Sequence, residues 1–187
     1  MKKFLSYDPK LLVYGLLIVF FASYGQTFFI SIFNSEIRSH YNLSDGEFGL
    51  IYAIATILSA VILISFAKLI DYIDLRIYSL LISLGMILSC LAMFFFIKHV
   101  FFLLLVIFSL RFFGQGAMGH AGETTMARYF GNNRGKALSV STLGGMIGVM
   151  LLPMFIIYLM QYYTLNQIWL AASISIIILI PIIFLLL

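Results

Sequence analysis

Charge is what this chain has least of. Seven acidic and eleven basic residues are spread over 187 positions, too few to cover a soluble domain with the usual charged surface. One cysteine excludes an intramolecular disulfide and a multi-cysteine metal site; Cys90 falls inside an apolar run, where it reads as a packing residue. The sequence contains no His-Glu-x-x-His, no Gly-x-Ser-x-Gly and no pair of aspartates within an apolar run. A membrane protease or lipase would therefore lack its metal ligands or its nucleophile, and no enzyme, cofactor or metal is expected. A voltage sensor needs arginines at every third position of one helix, and only Arg111 stands deep in an apolar run.

What fills the chain is apolar. Hydrophobic residues make up 63% of it and mean hydropathy is +1.12, which places it in the membrane class. Six apolar runs predict six membrane-spanning helices, at 11–33, 48–66, 77–97, 100–119, 137–160 and 168–187. They leave no room for a soluble domain, so residues 1–187 are expected to form one transmembrane unit. The start Met1-Lys2-Lys3 resembles a signal peptide, but the run after it is too long and lacks a small-x-small cleavage pattern. A cytoplasmic N-terminus places Lys2, Lys3, Lys10, Lys68, Arg76, Arg128, Arg134 and Lys136 inside, with only Arg38 and Lys98 outside. Such a bias follows the positive-inside rule and explains the net charge of +4 without nucleic acid; a multi-pass protein of a bacterial inner membrane is expected. In the first outer loop, Ser44-Asp45-Gly46-Glu47 has the capping-box spacing, with Ser44 as N-cap of helix two.

A gapless offset of 89 residues aligns the chain weakly with itself. It brings Gly25-Gln26 of helix one onto Gly114-Gln115 of helix four, Tyr41 onto Phe130, and Gly46 onto Gly135. Helices one and four run in opposite directions, so the echo relates two three-helix units as a 3+3 inverted repeat. Loop charge inverts as well, Asp45 and Glu47 falling on Arg134 and Lys136. The last residues, Ile182 to Leu187, carry no polar anchor, and the chain is expected to be the first half of a longer protein.

Arg111 is eleven residues beyond Val100, which places it roughly 16 Å into a hydrocarbon core about 30 Å thick. At that depth it must face protein or water, which makes it a functional-site candidate. Gln115 lies about one turn further on the same side, with His120 beyond. His120 and Glu123, three residues apart, are placed to share a proton or to form a plain surface ion pair. Gln26 and Gln115 are equally suited to joining helices. Gly144 and Gly148 form a small-xxx-small packing face, and Pro153 is expected to bend helix five.

Three motifs carry a family resemblance. Between helices two and three, Ala67-Lys68-Leu69-Ile70-Asp71-Tyr72-Ile73-Asp74-Leu75-Arg76 resembles the Gly-x-x-x-Asp-Arg-x-Gly-Arg-Lys/Arg loop of the major facilitator superfamily; Asp71 and Arg76 match, while Ala67, Tyr72, Asp74 and Leu75 depart. Leu110-Arg111-Phe112-Phe113-Gly114-Gln115-Gly116 looks like that superfamily's fourth-helix signature. Arg128-Tyr129-Phe130-Gly131-Asn132-Asn133-Arg134-Gly135-Lys136 followed by Gly144-Gly145 is similar to the loop and fifth helix of its bacterial oxalate/formate and monocarboxylate-type branches. The Gly-Pro signature of drug exporters is absent, Gly144-Gly145 being followed by Met146.

The resemblance implies an all-α half of a twelve-helix secondary transporter that works by alternating access. Its other half, or a second copy, would supply the facing wall. It further implies that helices one and four line the cavity, with Tyr24, Gln26, Arg111 and Gln115 contacting the substrate. Asp71, Arg76, His120, Glu123 and Arg128 would gate or couple transport, with a proton or another ion. A bidentate guanidinium favours a small organic anion such as a monocarboxylate. A drug-efflux carrier and a non-transporting six-helix subunit are the competing readings.

Overall fold

A computed structural model describes residues 8–187. Lys2 and Lys3, counted above with the inner basic residues, lie outside the described residues. All regular structure among the described residues is helical, and six helices are long and apolar enough to cross a membrane: Pro9–Ile32, Asp45–Asp71, Leu75–Phe95, Val100–Tyr129, Gly131–Leu159 and Leu165–Leu186. Large side chains such as Leu50, Ile57, Val61, Met150, Met154 and Ile178 point outward from the bundle, the arrangement expected where lipid is the solvent.

Helix starts follow capping chemistry rather than hydropathy. Asp8 accepts the Leu11 N–H at 3.0 Å ahead of Pro9, and Asp74 accepts the Arg76 N–H at 2.7 Å. Ser44 and Glu47 close the expected capping box: the Glu47 N–H reaches Ser44 Oγ at 3.3 Å, and the Ser44 N–H reaches Glu47 Oε2 at 2.8 Å. Thr164 and Gln167 form a second such box on the sixth helix. Helical structure in the second and sixth spans thus begins at Asp45 and Leu165, three residues ahead of each apolar pattern, because a polar first turn still bonds backbone while adding nothing to hydropathy; the fifth span begins without a side-chain cap, as a 3-10 turn at Gly131–Asn133 that leads into the α-helix at Arg134. The fourth helix continues to Tyr129, ten residues past the expected end at Gly119. The fifth runs through Pro153 as one continuous helix.

Packing obeys the internal repeat. First helix contacts fifth, second contacts fourth, third contacts sixth, and first contacts fourth; exchanging the two three-helix units leaves this set of pairs unchanged, while the fourth–fifth contact has no comparable counterpart between first and second helices. The offset of 89 also relates buried Ala55 and Ser59 of the second helix to buried Gly144 and Gly148 of the fifth. Both pairs are small residues spaced for close approach. A Cβ on Gly144 would lie 2.0 Å from the Leu16 carbonyl oxygen, and one on Gly148 would lie 2.1 Å from Ser23 Oγ, so the fifth helix seats directly on the first.

Two ends of the bundle are distinguished here by charge, a basic one carrying Lys68, Arg76, Arg128 and Arg134, and an acidic one carrying Glu36, Asp45 and Glu47. At the acidic end a short helix, Asn34–Tyr41, closes the first connection. Tyr41 donates to the Ile97 carbonyl at 2.8 Å, and the His40 ring stacks on Phe96 with centroids 4.0 Å apart. Burial pushes the Tyr41 phenol up to about 12, so it remains a donor throughout the physiological range. Tyr41→Phe should lower thermal stability by about 1 kcal/mol, leaving the Ile97 carbonyl without its donor. An unchanged melting temperature in detergent would show that water replaces the bond.

Candidate functional site

Two interruptions of helix geometry create the site, and the repeat relates them. In the first helix, Ala22–Gly25 tightens to a 3-10 turn and Gln26 is extended, with φ −80° and ψ 153°. The Phe29 N–H consequently bonds Gln26 O at 3.1 Å, and the Gly25 carbonyl loses its usual helical donor. In the fourth helix, Arg111–Met118 is wound as a π-helix, a geometry that concentrates at functional positions. Shifted by 89, Ala22–Gly25 falls on residues 111–114. Gly25 and Gly114 lie against each other: a Cβ on Gly25 would be 2.7 Å from Gly114 Cα, and one on Gly114 would be 2.6 Å from Gly25 Cα. Equivalent residues in mutual contact place a pseudo-two-fold axis between them.

Arg111 satisfies the carbonyl freed by this break. Its Nη1 donates to Gly25 O at 3.3 Å and to Thr27 Oγ1 at 3.1 Å, and its guanidinium carbon lies 5.4 Å from the Tyr52 ring centroid, within cation–π range. The residue is 6% exposed and forms no ion pair among the described residues. Its Nε is shielded and has no hydrogen-bond partner.

A cleft of about 460 Å³ opens beside the guanidinium. Gln26, Arg111, Gln115, His120 and Glu123, all singled out from the sequence, line it together. Tyr24 does not join them. Its hydroxyl bonds Ser175 Oγ at 3.0 Å and its ring packs edge-on against Phe29 at 5.0 Å, because residues two apart in a helical turn face opposite sides, and Gln26 holds the cleft side. His120 bonds Thr124 Oγ1 through Nδ1 at 3.2 Å, with no hydrogen bond to Glu123. Since the fourth helix runs on to Tyr129, both residues belong to the wall of the cleft rather than to a helix end; the polar composition of 119–128 hid that continuation.

Hydroxyls complete the wall, and sequence reasoning missed them. Ser23, Thr56 and Ser59 line the cleft, and Thr56 Oγ1 has no hydrogen-bond partner. The available signal was the pair of hydroxyls three residues apart in an otherwise apolar second helix.

At the basic end a larger recess of about 640 Å³ is lined by Asp71, Asp74, Arg76, Thr125, Arg128 and Tyr129 among others. Asp71 pairs with Arg128 there, and Arg128 Nη1 also donates to Ile70 O at 3.4 Å. One charge pair thereby ties the connection after the second helix to the end of the fourth. Arg76 borders the recess, while its backbone N–H is held by Asp74.

Second and fifth helices flank the cleft and are the least buried of the six, which leaves that side of the bundle open. Comparison with curated proteins and with solved structures returned no match. A family model described as Major Facilitator Superfamily matches residues 15–187, the stretch that holds both helix breaks, the cleft and the Asp71–Arg128 pair, and the chain belongs to that superfamily of membrane transporters.

Proposed function

We propose that this protein is a secondary active carrier of a small organic anion, a monocarboxylate or a close relative, moved by alternating access. One observation carries the substrate class: a guanidinium near mid-helix faces a cleft and contacts only neutral acceptors, a carbonyl, a hydroxyl and a ring. A buried cation without an anion is costly in a membrane, and a carboxylate supplies the missing charge with two acceptors matched to the guanidinium fork. Gln26 and Gln115, placed symmetrically about the Gly25–Gly114 contact, orient it by amide hydrogen bonds. Unpartnered Thr56 Oγ1 offers one more donor. His120 and Glu123, further along the same wall, are the groups for a coupling proton.

In this reading the basic end faces the cytoplasm, residues 1–187 act as one bundle, and a second six-helix bundle, in the same or another chain, covers the open side. The Asp71–Arg128 pair holds the inner gate. Asp71→Asn should slow turnover by up to about fivefold, since half-exposed ion pairs contribute up to about 1 kcal/mol, and should leave substrate affinity within about twofold. Equal losses in binding and turnover would make the pair a folding contact instead.

The reading is tested by uptake of labelled formate, acetate, lactate and oxalate into vesicles that contain the protein. Uptake above protein-free vesicles for at least one of them is expected. Failure of all four, together with resistance to hydrophobic cations in cells expressing the protein, would reassign it to drug efflux, with Glu123 as the cation-attracting group.

A further inference from the structure

Arg111 stands between two pockets. The main cleft lies on its basic-end side, along Gln115, His120 and Glu123. Beyond it, toward the acidic end, a smaller pocket of about 220 Å³ is lined by Thr27, Ser31, Asn34, Phe48 and Tyr52. Arg111 lines the first pocket, Thr27 and Tyr52 line the second, and these three residues are in contact with one another. Arg111 Nη1 donates to Thr27 Oγ1 at 3.1 Å, Tyr52 OH donates to the same oxygen at 3.0 Å, and the guanidinium rests on the Tyr52 ring. Fourth, first and second helices meet at that single hydroxyl.

We propose that Arg111, Thr27 and Tyr52 form a latch that closes the cleft toward the acidic end, and that a bound carboxylate opens it by drawing Arg111 away from Thr27. The second half of this statement rests on the carboxylate-carrier reading above. Its chemistry is a competition of acceptors. Thr27 Oγ1 and Gly25 O are neutral, whereas a carboxylate brings a full opposite charge and accepts two parallel bonds from the guanidinium fork. When the guanidinium turns to the anion, Thr27 loses one of its two donors and the ring contact with Tyr52 ends. Segment Thr27–Ile32 follows the extended residue Gln26, so the break at Gln26 is the hinge about which it would tilt once released, against the packing of Phe29 on Trp169. Thr27 and Tyr52 are positioning residues in this scheme: they hold Arg111 and touch no substrate.

The test uses a reporter cysteine at Ala60, which lines the cleft and is exposed, in a Cys90→Ala background. A membrane-impermeant thiol reagent is added to membranes containing the protein, from the side carrying Glu36 and Asp45. With the latch intact, labelling is slow. Thr27→Val and Tyr52→Phe, which keep the shapes of their side chains, should each raise the labelling rate about tenfold without any ligand, and Thr27→Ser, which keeps the hydroxyl, should return the slow rate. Rates in the two latch variants equal to that of the parent would overturn the latch. In the parent, saturating oxalate or lactate should speed labelling, and in Arg111→Ala it should not. If carboxylate uptake is present but labelling ignores carboxylates, the trigger is wrong while the carrier reading stands. If uptake itself is absent, the carrier reading and the trigger fall together, and the latch is decided by the ligand-free variants alone.

Discussion

Carboxylate uptake is expected to disappear in Arg111→Ala and to fall steeply in Arg111→Lys. Truncating one partner of a buried, hydrogen-bonded charge pair costs about 2–5 kcal/mol, which corresponds to a loss of roughly 30-fold to several thousandfold in kcat/KM. Alanine also leaves the Gly25 carbonyl, already without its helical donor, unsatisfied. Lysine retains the charge as a compact ammonium without a planar fork; it reaches either the anion or the Gly25–Thr27 acceptors, so affinity should fall more than protein yield. Uptake by vesicles, with folded protein measured in parallel, separates these effects. Full activity in Arg111→Lys would show that charge alone suffices and that bidentate recognition is the wrong account.

Alanine at either glycine of the axial pair is expected to be strongly destabilising, because the added methyl would meet backbone on the facing helix. A Cβ on Gly25 would fall 2.1 Å from the Leu110 carbonyl oxygen and 2.7 Å from Gly114 Cα; one on Gly114 would fall 2.6 Å from Gly25 Cα and 2.8 Å from Gly25 N. These neighbours are backbone atoms, which cannot swing aside as a side chain would, so the two helices must separate. Overpacking costs typically about 1–3 kcal/mol and more where backbone has to move, and separation would also pull Arg111 from its acceptors on the first helix. Gly25→Ala and Gly114→Ala should therefore lower the melting temperature strongly, and to a similar extent because the contact is reciprocal. Gly49→Ala is the control: its Cβ would meet nothing within 4 Å, and alanine in mid-helix is favoured over glycine by roughly 1 kcal/mol. Equal tolerance of all three substitutions in a detergent melt would mean that the first and fourth helices do not cross this closely.

Much of the site was legible because its signals are local or periodic. The cost of a charge at mid-helix depth marks Arg111 from its position in an apolar run. The paired Gly-Gln steps mark the repeat, and the same offset turns out to relate the 3-10 turn of the first helix to the start of the π-wound segment of the fourth. Ser44 is recognisable as a cap because capping chemistry spans three residues. Tyr24 stands apart from the cleft because neighbourhood along a chain is not neighbourhood on a face: two residues from Gln26, it turns to Ser175 instead. Thr27 and Tyr52 escaped notice because a threonine and a tyrosine in apolar company carry no signal until a guanidinium from a helix some sixty to eighty residues away reaches them. The extent of the fourth helix was underestimated for a related reason, since hydropathy cannot see a polar turn that faces a cleft instead of water.

The sequence by itself determined that this chain enters a membrane, where its six spans lie, to within six residues at each end except at the polar close of the fourth, and that its two halves are related by inversion. Those properties follow from transfer free energy and repetition, which add up residue by residue along the chain. Only the tertiary structure decided which polar groups share the cleft, that Gly25 meets Gly114 on the axis, and that Arg111 is held by an interrupted helix and one threonine hydroxyl. Such contacts depend on the angle at which helices cross and on where each one breaks, and both are set by close packing between segments far apart in sequence.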